Sequence, residues 1–212
     1  MKLYYSPGAC SLSPHIALIE AGLAHDLVKV NTKTKHFDGG GDFLAVNAKG
    51  YVPVLELDNG ERLTEGPAIV QYIADQVPGK GLAPAAGTMA RYRLQEWLNF
   101  VTSEIHKTYS PLFNPAVPEE YKTIAKARLN DRYRWIDAQL EGKSYLMGDA
   151  FSVADAYLFT VLNWKIATPV DLERWPAIAS YYQRLQRRPS VARALAEEQA
   201  LYAEELKRHQ AA

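Results

Sequence analysis

Cys10 is the only cysteine in the 212-residue chain, and the residues around it favour a chemical role. Lys2–Tyr5 predicts a short strand, and apolar residues at helical spacing predict a helix over residues 11–21. Cys10 therefore lies at or just before a helix N-terminus, where unpaired N–H groups and the positive end of the helix dipole stabilise an anion. A thiolate is such an anion, so the position predicts a reactive cysteine with a lowered pKa. A buried, inert cysteine is the alternative that the pattern leaves open.

Three further side chains could act with this thiol. Tyr5 and Ser11 flank it, and each carries a hydroxyl that could hydrogen-bond a thiolate. Alternatively, Tyr5 is an aromatic residue of the core and Ser11 is a helix N-cap. His106 is the third, because a histidine can exchange protons near neutral pH. It shares a predicted helical face with Asn99 and Ser103, and that face either lines a cleft or meets solvent.

Composition and charge exclude several classes of protein. The 24 Lys and Arg residues balance the 24 Asp and Glu residues, so no broad electrostatic field favours nucleic acid or an anionic membrane as a partner. The first residues lack the apolar run of a signal peptide, and no stretch approaches membrane-spanning length. A single cysteine cannot form an internal disulfide. We therefore expect a cytoplasmic protein without nucleic-acid, membrane or metal partners.

The first eighty residues mix strand and helix patterns. Residues 33–42 are polar and contain three consecutive glycines, which predicts a surface loop. Asn59 and Gly60 form the turn pair of a predicted hairpin. Pro53 stands at the entry to its first strand, where a proline indicates a sheet edge, a strand entry or a cis bond. The other predicted elements are a strand at 26–30, a helical turn at 43–46, hairpin strands at 52–57 and 62–64, and a helix over about 64–77.

Beyond residue 87 only helical patterns remain, which indicates a second, all-helical domain. Residues 79–87 predict a linker, so the predicted domains are residues 1–78 and residues 88–212. Ser152 and Asp155 match a capping box, with Phe151 and Ala156 at the positions of a hydrophobic staple, and we interpret the box as a folding signal. The helices predicted in this half span about 88–109, 119–141, 153–167, 176–187 and 190–207.

Six sequence blocks together resemble the cytosolic glutathione transferases over essentially the whole chain. They are Tyr5-Ser-Pro-Gly-Ala-Cys-Ser-Leu-Ser, Asn47-Ala-Lys-Gly-Tyr-Val-Pro-Val-Leu, Leu63-Thr-Glu-Gly-Pro-Ala-Ile, Glu96-Trp-Leu-Asn, Ser103-Glu-Ile-His-Lys and Ser152-Val-Ala-Asp-Ala-Tyr. Each block is weakly specific alone, but all of them in family order and spacing are highly specific. Cys10 with the His106-Lys107 pair resembles the bacterial beta class.

The resemblance implies a fold of two parts and a shared site. The fold would be a thioredoxin-like α/β N-terminal domain followed by an all-α C-terminal domain, with the active site in the cleft between them. The resemblance also implies a homodimer that uses glutathione as co-substrate. Cys10, Ser103 and His106 would line the cleft, and Asn99 would reach glutathione across the dimer interface.

The resemblance also assigns the parts of glutathione to residues of the N-terminal half. Backbone groups of Val52, ahead of a cis Pro53, would bind the cysteinyl part, and Lys35 would bind the glycyl carboxylate. Glu65 and Gly66 would take the glutamyl end. The chemistry fits this last assignment, because a carboxylate beside exposed helix-start amides can bind an ammonium and a carboxylate together.

Two positions depart from the family pattern. Gly66 stands where many relatives carry a serine, so a hydroxyl contact to glutathione is lost. Ser13 stands where a thioredoxin Cys-x-x-Cys motif has its second cysteine. An intramolecular dithiol cycle is therefore excluded, whereas a mixed disulfide of Cys10 with glutathione is not. Because Tyr5 and Ser11 are both present, the group that dominates thiol activation stays open.

The expected function is conjugation of the glutathione thiolate to hydrophobic electrophiles. The residues around 109–113 and 164–168, which would shape the electrophile pocket, are apolar and aromatic. One alternative is a glutathione-dependent monothiol oxidoreductase of the glutaredoxin kind, or a reductive dehalogenase. An alternative from another class is a non-catalytic ligand-binding stress protein. The sequence leaves the electrophile, and a detoxifying or catabolic role, undecided.

Overall fold

A computed structural model describes residues 1–168 and 170–198, which form two compact units. The first unit contains residues 1–80 together with the described chain from Arg188 onward, and the second contains Gly81–Arg187. The first unit combines a sheet with helices, and the second is helical. The predicted fold class, an α/β domain followed by an all-α domain, is confirmed.

The first unit is built on one six-stranded sheet. Its elements are β1 (Lys2–Tyr5), α1 (Leu12–Ala21), β2 (Asp26–Asn31), β3 (His36–Phe37), β4 (Gly41–Asp42), α2 (Phe43–Val46), β5 (Val54–Glu56), β6 (Arg62–Thr64), α3 (Gly66–Asp75), a 3₁₀ turn at Pro78–Lys80 and a helical segment at 189–198. The strand order is β4-β3-β2-β1-β5-β6. Strands β1 and β2 are parallel, and the other neighbouring pairs are antiparallel.

The central strand β1 places alternate side chains on opposite faces of the sheet. Tyr4 packs in a buried cluster on one face, whereas Leu3 and Tyr5 are buried on the other. The ring of Tyr5 lies near that of His15 in α1, with centroids 6.2 Å apart. The cluster around Tyr4 contains Val30, Phe43, Val52 and Val54. Both faces of β1 are therefore covered, which fixes the position of the turn that leads from β1 into α1.

The segment 33–42 lies at the surface as predicted, but it is not a loop throughout, because it contains β3 and β4. Positive φ angles at Lys35 (60°) and Gly39 (96°) turn the chain on either side of β3. Strand β3 pairs with β2, and the ring of Phe37 packs edge-on against Tyr4, with centroids 5.6 Å apart. Strands of two residues are too short to show an alternating pattern, which is why the sequence did not reveal them.

Other predictions for this unit are confirmed. The hairpin of β5 and β6 turns at Asn59 and Gly60, the latter with a φ of 86°. The helical turn at residues 43–46 is present, and the Val52–Pro53 peptide bond is cis. Helix α3 begins at Gly66 and ends at Asp75, so it is shorter at both ends than predicted.

The second unit is a set of helices whose first member contains an irregular turn. Its elements are α4 (Met89–Phe100), a π-helix (Val101–His106), α5 (Lys107–Phe113), α6 (Glu119–Leu140), α7 (Val153–Leu162), a 3₁₀ turn at Asn163–Ile166 and α8 (Pro176–Gln186). The helix predicted at 88–109 thus continues to Phe113, and Pro111 lies inside it instead of ending it. The last predicted helix, 190–207, is helical over its described residues, and the remainder lies outside the described residues.

The predicted capping box at the start of α7 is confirmed. Asp155 Oδ2 accepts hydrogen bonds from the backbone N–H and the hydroxyl of Ser152, both at 2.8 Å. Its Oδ1 accepts from the backbone N–H of Leu146 at 2.8 Å and from the hydroxyl of Tyr181 at 2.9 Å. Burial raises the pKa of Asp155, and these donors oppose the effect. The carboxylate therefore ties the loop before α7 to α8.

The chain from Arg188 onward packs on α1, although the predicted helical domain at 88–212 includes it. Arg188 forms an ion pair with Glu20 of α1, with Nε and Oε2 2.9 Å apart, and the Ser190 hydroxyl donates to the same carboxylate. Burial favours a higher pKa for Glu20, but Arg188 and Ser190 outweigh it and lower the pKa. These polar contacts, far apart in sequence, attach the segment to the first unit.

Candidate functional site

The turn between β1 and α1 brings Cys10 to the backbone of Val52. Cys10 Sγ lies 3.3 Å from the Val52 carbonyl oxygen and donates to it. Val52 is the residue before the cis bond to Pro53, at the entry to β5. Three residues that the sequence analysis assigned to one site are therefore adjacent in the structure.

The prediction of a lowered pKa for Cys10 was wrong. Burial raises its pKa to about 11, and the helix-start N–H groups of Cys10 and Ser11 lower it by less. The carboxylates of Glu65 and Glu198 raise it further. Donation to the Val52 carbonyl also favours the protonated form, since only a thiol can make that hydrogen bond. Cys10 is partly exposed as a residue, yet near neutral pH its sulfur is a neutral hydrogen-bond donor.

We expect alkylation of Cys10 by iodoacetamide to be slow at neutral pH and to accelerate toward about pH 11, because only the thiolate attacks. At any pH below 9 the rate should be roughly one hundredth of that of an unperturbed thiol, since two pKa units separate them. Mass spectrometry of the adduct against pH measures the rate, with N-acetylcysteine as the reference thiol. A rate that levels off below about pH 9 would contradict the raised pKa.

Ser11 and Tyr5 lie beneath this turn. The Ser11 hydroxyl donates to the Ser6 carbonyl at 3.1 Å and accepts the Ser6 N–H at 3.1 Å, and Ser11 is fully buried. Ser11 stands at the N-cap position of α1, but its hydroxyl does not cap the helix. Tyr5 is buried, with its ring packed near His15. The bonds of Ser11 hold the shape of the turn, and a role of either hydroxyl in thiol activation stays a prediction.

Glu65 and Gly66 form the start of α3. Glu65 has a φ of 69° and a ψ of 112°, a backbone conformation that residues other than glycine rarely adopt. Such conformations concentrate at binding sites, where the surrounding structure maintains them. A Cβ atom on Gly66 would lie 3.8 Å from the hydroxyl of Ser13, which itself donates to the Cys10 carbonyl at 3.0 Å. The start of α3 is therefore next to the start of α1.

Lys49 is a residue of this site that the sequence analysis missed. Its Nζ lies 2.5 Å from Oε1 of Glu65 and donates to the Thr64 hydroxyl at 2.9 Å. Both charged side chains of the pair are substantially exposed. Lys49 belongs to the sequence block beginning at Asn47, one of the blocks that resemble the family. Its position in that block is the feature of the sequence from which a place in the site could have been predicted.

Lys35 lies on the other side of Val52. Its Nζ donates to the Gly50 carbonyl at 2.9 Å and lies 5.7 Å from the centre of the Tyr51 ring. Residues 50–53 thus connect Lys35 to Cys10, and Cys10 connects through Ser13 to Gly66. These contacts place Lys35, Cys10, Val52 and Gly66 close together, whereas Tyr5 and Ser11 are buried beneath the turn.

The three predicted residues of the second unit do not share one environment. Asn99 and Ser103 are exposed, and the Ser103 hydroxyl donates to the Asn99 carbonyl at 3.1 Å. His106 is half-buried at the end of the π-helix. The predicted common face assumed α-helical spacing, and the wider turn of the π-helix between Val101 and His106 changes that spacing.

Aromatic rings hold the imidazole of His106. Its Nδ1 lies 2.7 Å from the Tyr157 hydroxyl oxygen, and its ring packs edge-on against Trp164, with centroids 4.7 Å apart. The rings of Tyr109 and Phe113 lie 5.5 Å and 5.3 Å from that of Trp164. Burial raises the pKa of Tyr109. The second unit therefore holds one half-buried imidazole in an aromatic cluster that is buried except at Phe113.

The first-unit site combines groups that complement a small peptide-like anion. It offers a carboxylate, two lysines, helix-start N–H groups and a short extended backbone segment beside a thiol. In the described residues, no three His, Cys, Asp or Glu side chains come together as a metal-binding group. Within the same ranges of the chain, no helix is both long and apolar enough to cross a membrane.

Comparison with known proteins gives matches along the chain. The family models "Glutathione S-transferase, N-terminal domain" and "Glutathione S-transferase, C-terminal domain" match residues 8–76 and 100–189. Glutathione S-transferase GstA of Escherichia coli O157:H7 is 46% identical over 198 residues, which cover 93% of this chain and 98% of that protein.

Two solved structures are similar in fold as well as sequence. A ternary complex of BphK, a bacterial GST, matches with a TM-score of 0.92 and 56% identity, covering 93% of this chain and 99% of that one. A bacterial beta class glutathione S-transferase of Sphingomonas chungbukensis matches with a TM-score of 0.90 and 48% identity, covering 93% and 98% of the two chains.

Proposed function

The chain belongs to the glutathione S-transferase family and is a glutathione-dependent transferase of the beta class, and we propose that it conjugates the glutathione thiolate to hydrophobic electrophiles. The observation that carries the proposal is the position of the Cys10 thiol, 3.3 Å from the Val52 carbonyl. This contact lies on the same surface as the start of α3. The predicted family and its class are confirmed by the matches.

Each part of glutathione has a complementary group on this surface. The backbone of Val52, ahead of the cis Pro53, suits the cysteinyl amide, and Lys35 suits the glycyl carboxylate. Glu65 suits the glutamyl ammonium, and the N–H of Gly66 at the helix start suits the glutamyl carboxylate. Lys49 and Glu65 form an ion pair in the structure. We therefore propose that the ammonium of glutathione competes with Lys49 for the Glu65 carboxylate.

The reaction that we propose forms a bond between the glutathione sulfur and a carbon of the electrophile. The thiol loses its proton to solvent, and the thiolate attacks an electrophilic carbon. For an aryl halide, the carbon–halogen bond breaks and the halide leaves with the electron pair. Cys10 would stabilise the thiolate by redirecting its S–H from Val52 to the glutathione sulfur. A neutral thiol serves this role because it still carries a proton to donate.

We propose that the electrophile binds at the aromatic surface of the second unit. Phe113 is exposed by 45% and Ile166 by 68%, although both are large apolar side chains. Phe113 packs against Trp164, which in turn packs against Tyr109, so its exposed ring offers an apolar contact to a hydrophobic ligand.

The alternative of a glutaredoxin-like oxidoreductase requires a reactive Cys10 thiolate. A pKa of about 11 leaves little thiolate at neutral pH, so this reading has less support than conjugation. Reduction of a glutathione mixed disulfide, measured beside turnover of an aryl halide, separates the two activities. Absence of both would favour a non-catalytic ligand-binding protein.

We further propose a cytoplasmic homodimer. Large apolar side chains are exposed on both units, among them Tyr51 (70%) of the first and Met89 (70%) and Tyr92 (57%) of the second. Exposed aromatic side chains of this kind are typical of interfaces. Asn99, which is exposed, would then contact glutathione bound to the partner subunit. Sedimentation as a monomer at micromolar concentration would contradict the dimer.

We expect Glu65→Gln to raise the KM for glutathione by about tenfold or more while kcat changes less, because a charge-assisted hydrogen bond to the glutamyl ammonium is lost. The measurement is initial-rate conjugation of an aryl halide at varied glutathione concentration. Glu61→Gln is the matched control, since it makes the same chemical change at an exposed hairpin residue. Equal KM values for the two variants would contradict the assignment of Glu65.

A further inference from the structure

We propose that Asn47 is a positioning residue, whose side-chain amide holds the segment 49–52 in the shape that binds glutathione. The part that concerns glutathione rests on the proposed function. The hydrogen bonds of Asn47 lie within the first unit and can be measured without glutathione.

The segment 49–52 carries backbone groups of the proposed site but lies between α2 and β5, outside the helices and strands. The carbonyls of Gly50 and Val52 accept hydrogen bonds from Lys35 at 2.9 Å and from Cys10 at 3.3 Å. A backbone of irregular shape has no ladder of its own, so its polar groups need other partners to keep one conformation. A shift of the segment would displace both carbonyls from the lysine and the thiol.

The side-chain amide of Asn47 supplies such partners. Its Oδ1 accepts the N–H of Lys49 at 3.2 Å, and its Nδ2 donates to the carbonyl of Tyr51 at 2.8 Å. The N–H can only donate and the carbonyl can only accept, so the amide has one orientation. The backbone carbonyl of Asn47 also accepts the N–H of Gly50 at 2.8 Å, and a φ of 67° at Gly50 turns the chain there. Asn47 is 7% exposed, so the amide is largely shielded from water.

Asn47 is itself attached to the core and to β6. Its N–H donates to the carbonyl of Phe43 at 2.8 Å, and Phe43 is fully buried. The guanidinium of Arg62 in β6 donates to the carbonyls of Ala45 and Val46, just before Asn47, at 3.1 Å and 3.4 Å. The amide therefore extends from a fixed part of the fold toward the segment 49–52.

Only an amide meets both requirements of the segment. A serine at position 47 has a hydroxyl that can accept from Lys49, as in many turns, but it is too short to serve Tyr51 at the same time. An alanine has neither group. Without the two bonds the segment is free to move, and glutathione has to order it on binding, which lowers the affinity.

Amide hydrogen exchange, followed by nuclear magnetic resonance without glutathione, tests the bond to Lys49. In the wild type we expect the Lys49 N–H to exchange at least about fivefold more slowly than in an unstructured peptide of the same sequence. In Asn47→Ala we expect a rate within about twofold of the peptide, and in Asn47→Ser a rate between the two. A wild-type amide that exchanges as fast as the peptide overturns the proposal, even if neither variant folds.

Titration calorimetry with glutathione tests the consequence for binding. We expect the Kd for glutathione to rise about fivefold to tenfold in Asn47→Ala and by a smaller factor in Asn47→Ser. Performed well below the unfolding temperature, the titration reports on folded molecules, so a loss of stability alone does not change the Kd. If Asn47→Ala does not fold, an unchanged Kd in Asn47→Ser overturns the proposal.

Asn59→Ala is the matched control. The Asn59 amide also donates and accepts, to Glu61 Oε2 at 2.6 Å and from the Glu61 N–H at 3.0 Å, but at an exposed hairpin of the same unit. Its Kd should stay within about twofold of the wild type, as is usual for surface substitutions. Equal Kd values in Asn47→Ala and Asn59→Ala overturn the proposal. A wild type that does not bind glutathione at millimolar concentration contradicts the proposed function, and the exchange rates then still decide whether Asn47 holds the segment.

Discussion

Asp155→Asn is expected to lower the free energy of unfolding by about 2–5 kcal/mol, although it exchanges only one atom. Each carboxylate oxygen accepts two hydrogen bonds. Oδ2 accepts both from Ser152, and Oδ1 accepts one from Leu146 and one from Tyr181. An asparagine has a single acceptor oxygen, so one of these pairs would face an N–H group. Two buried donors left without an acceptor cost about 1–3 kcal/mol each.

Equilibrium unfolding in urea, followed by circular dichroism, measures the effect. Asp149→Asn is the control, because it makes the same exchange at an exposed aspartate six residues earlier. The control should lie within about 0.5 kcal/mol of the wild type, as is usual for surface substitutions. If both variants unfold at the same urea concentration, the four hydrogen bonds of Asp155 do not contribute as proposed.

Glu198→Ala is expected to destabilise the first unit by about 2–4 kcal/mol and to weaken glutathione binding. The Glu198 side chain is 4% exposed, and its Oε2 accepts the backbone N–H of Gly8 at 2.8 Å. Its Oε1 lies 3.0 Å from Nδ1 of the fully buried His15. Gly8 is two residues before Cys10, so the loss of this acceptor would loosen the turn that carries the thiol. We expect a several-fold rise in the KM for glutathione beside the loss of stability.

Two neighbouring variants show which property of Glu198 matters. Glu198→Gln retains one acceptor oxygen, which can serve the Gly8 N–H, but it turns an N–H group toward Nδ1 of His15, so it should keep only part of the stability that Glu198→Ala loses. Glu197→Ala removes the carboxylate 3.0 Å from the other nitrogen of His15, on a side chain that is 34% exposed, and should cost about 1 kcal/mol or less. Equal losses in Glu198→Ala and Glu197→Ala would show that burial and the Gly8 contact are unimportant.

The raised pKa of Cys10 changes how we expect this residue to act on the sulfur of glutathione. A thiolate at position 10 would repel a second thiolate from glutathione, whereas a neutral thiol can donate to it. The slow alkylation expected for Cys10 describes such a neutral donor. It would lower the pKa of the glutathione thiol by stabilising its anion, which raises the reactive fraction at neutral pH.

The sequence by itself determined the features that depend on local chemistry. Prolines, glycines and apolar spacing predicted the turn before α1, the hairpin at Asn59 and Gly60, and the capping box at Ser152 and Asp155. Motif order predicted the family, and with it the cis bond before Pro53. These features can be inferred from neighbouring residues because a turn, a cap or a hairpin is formed by residues a few positions apart.

Only the tertiary structure decided the features that depend on residues distant in sequence. The pKa of Cys10 depends on burial and on the distant carboxylates of Glu65 and Glu198, and these outweigh the helix start that the sequence could show. Strand β3 forms because β2 provides backbone partners, and the segment from Arg188 packs on α1 through Glu20. The orientation of His106 depends on Tyr157, 51 residues away. Desolvation and long-range hydrogen bonds set these properties, and neither is encoded in the spacing of nearby residues.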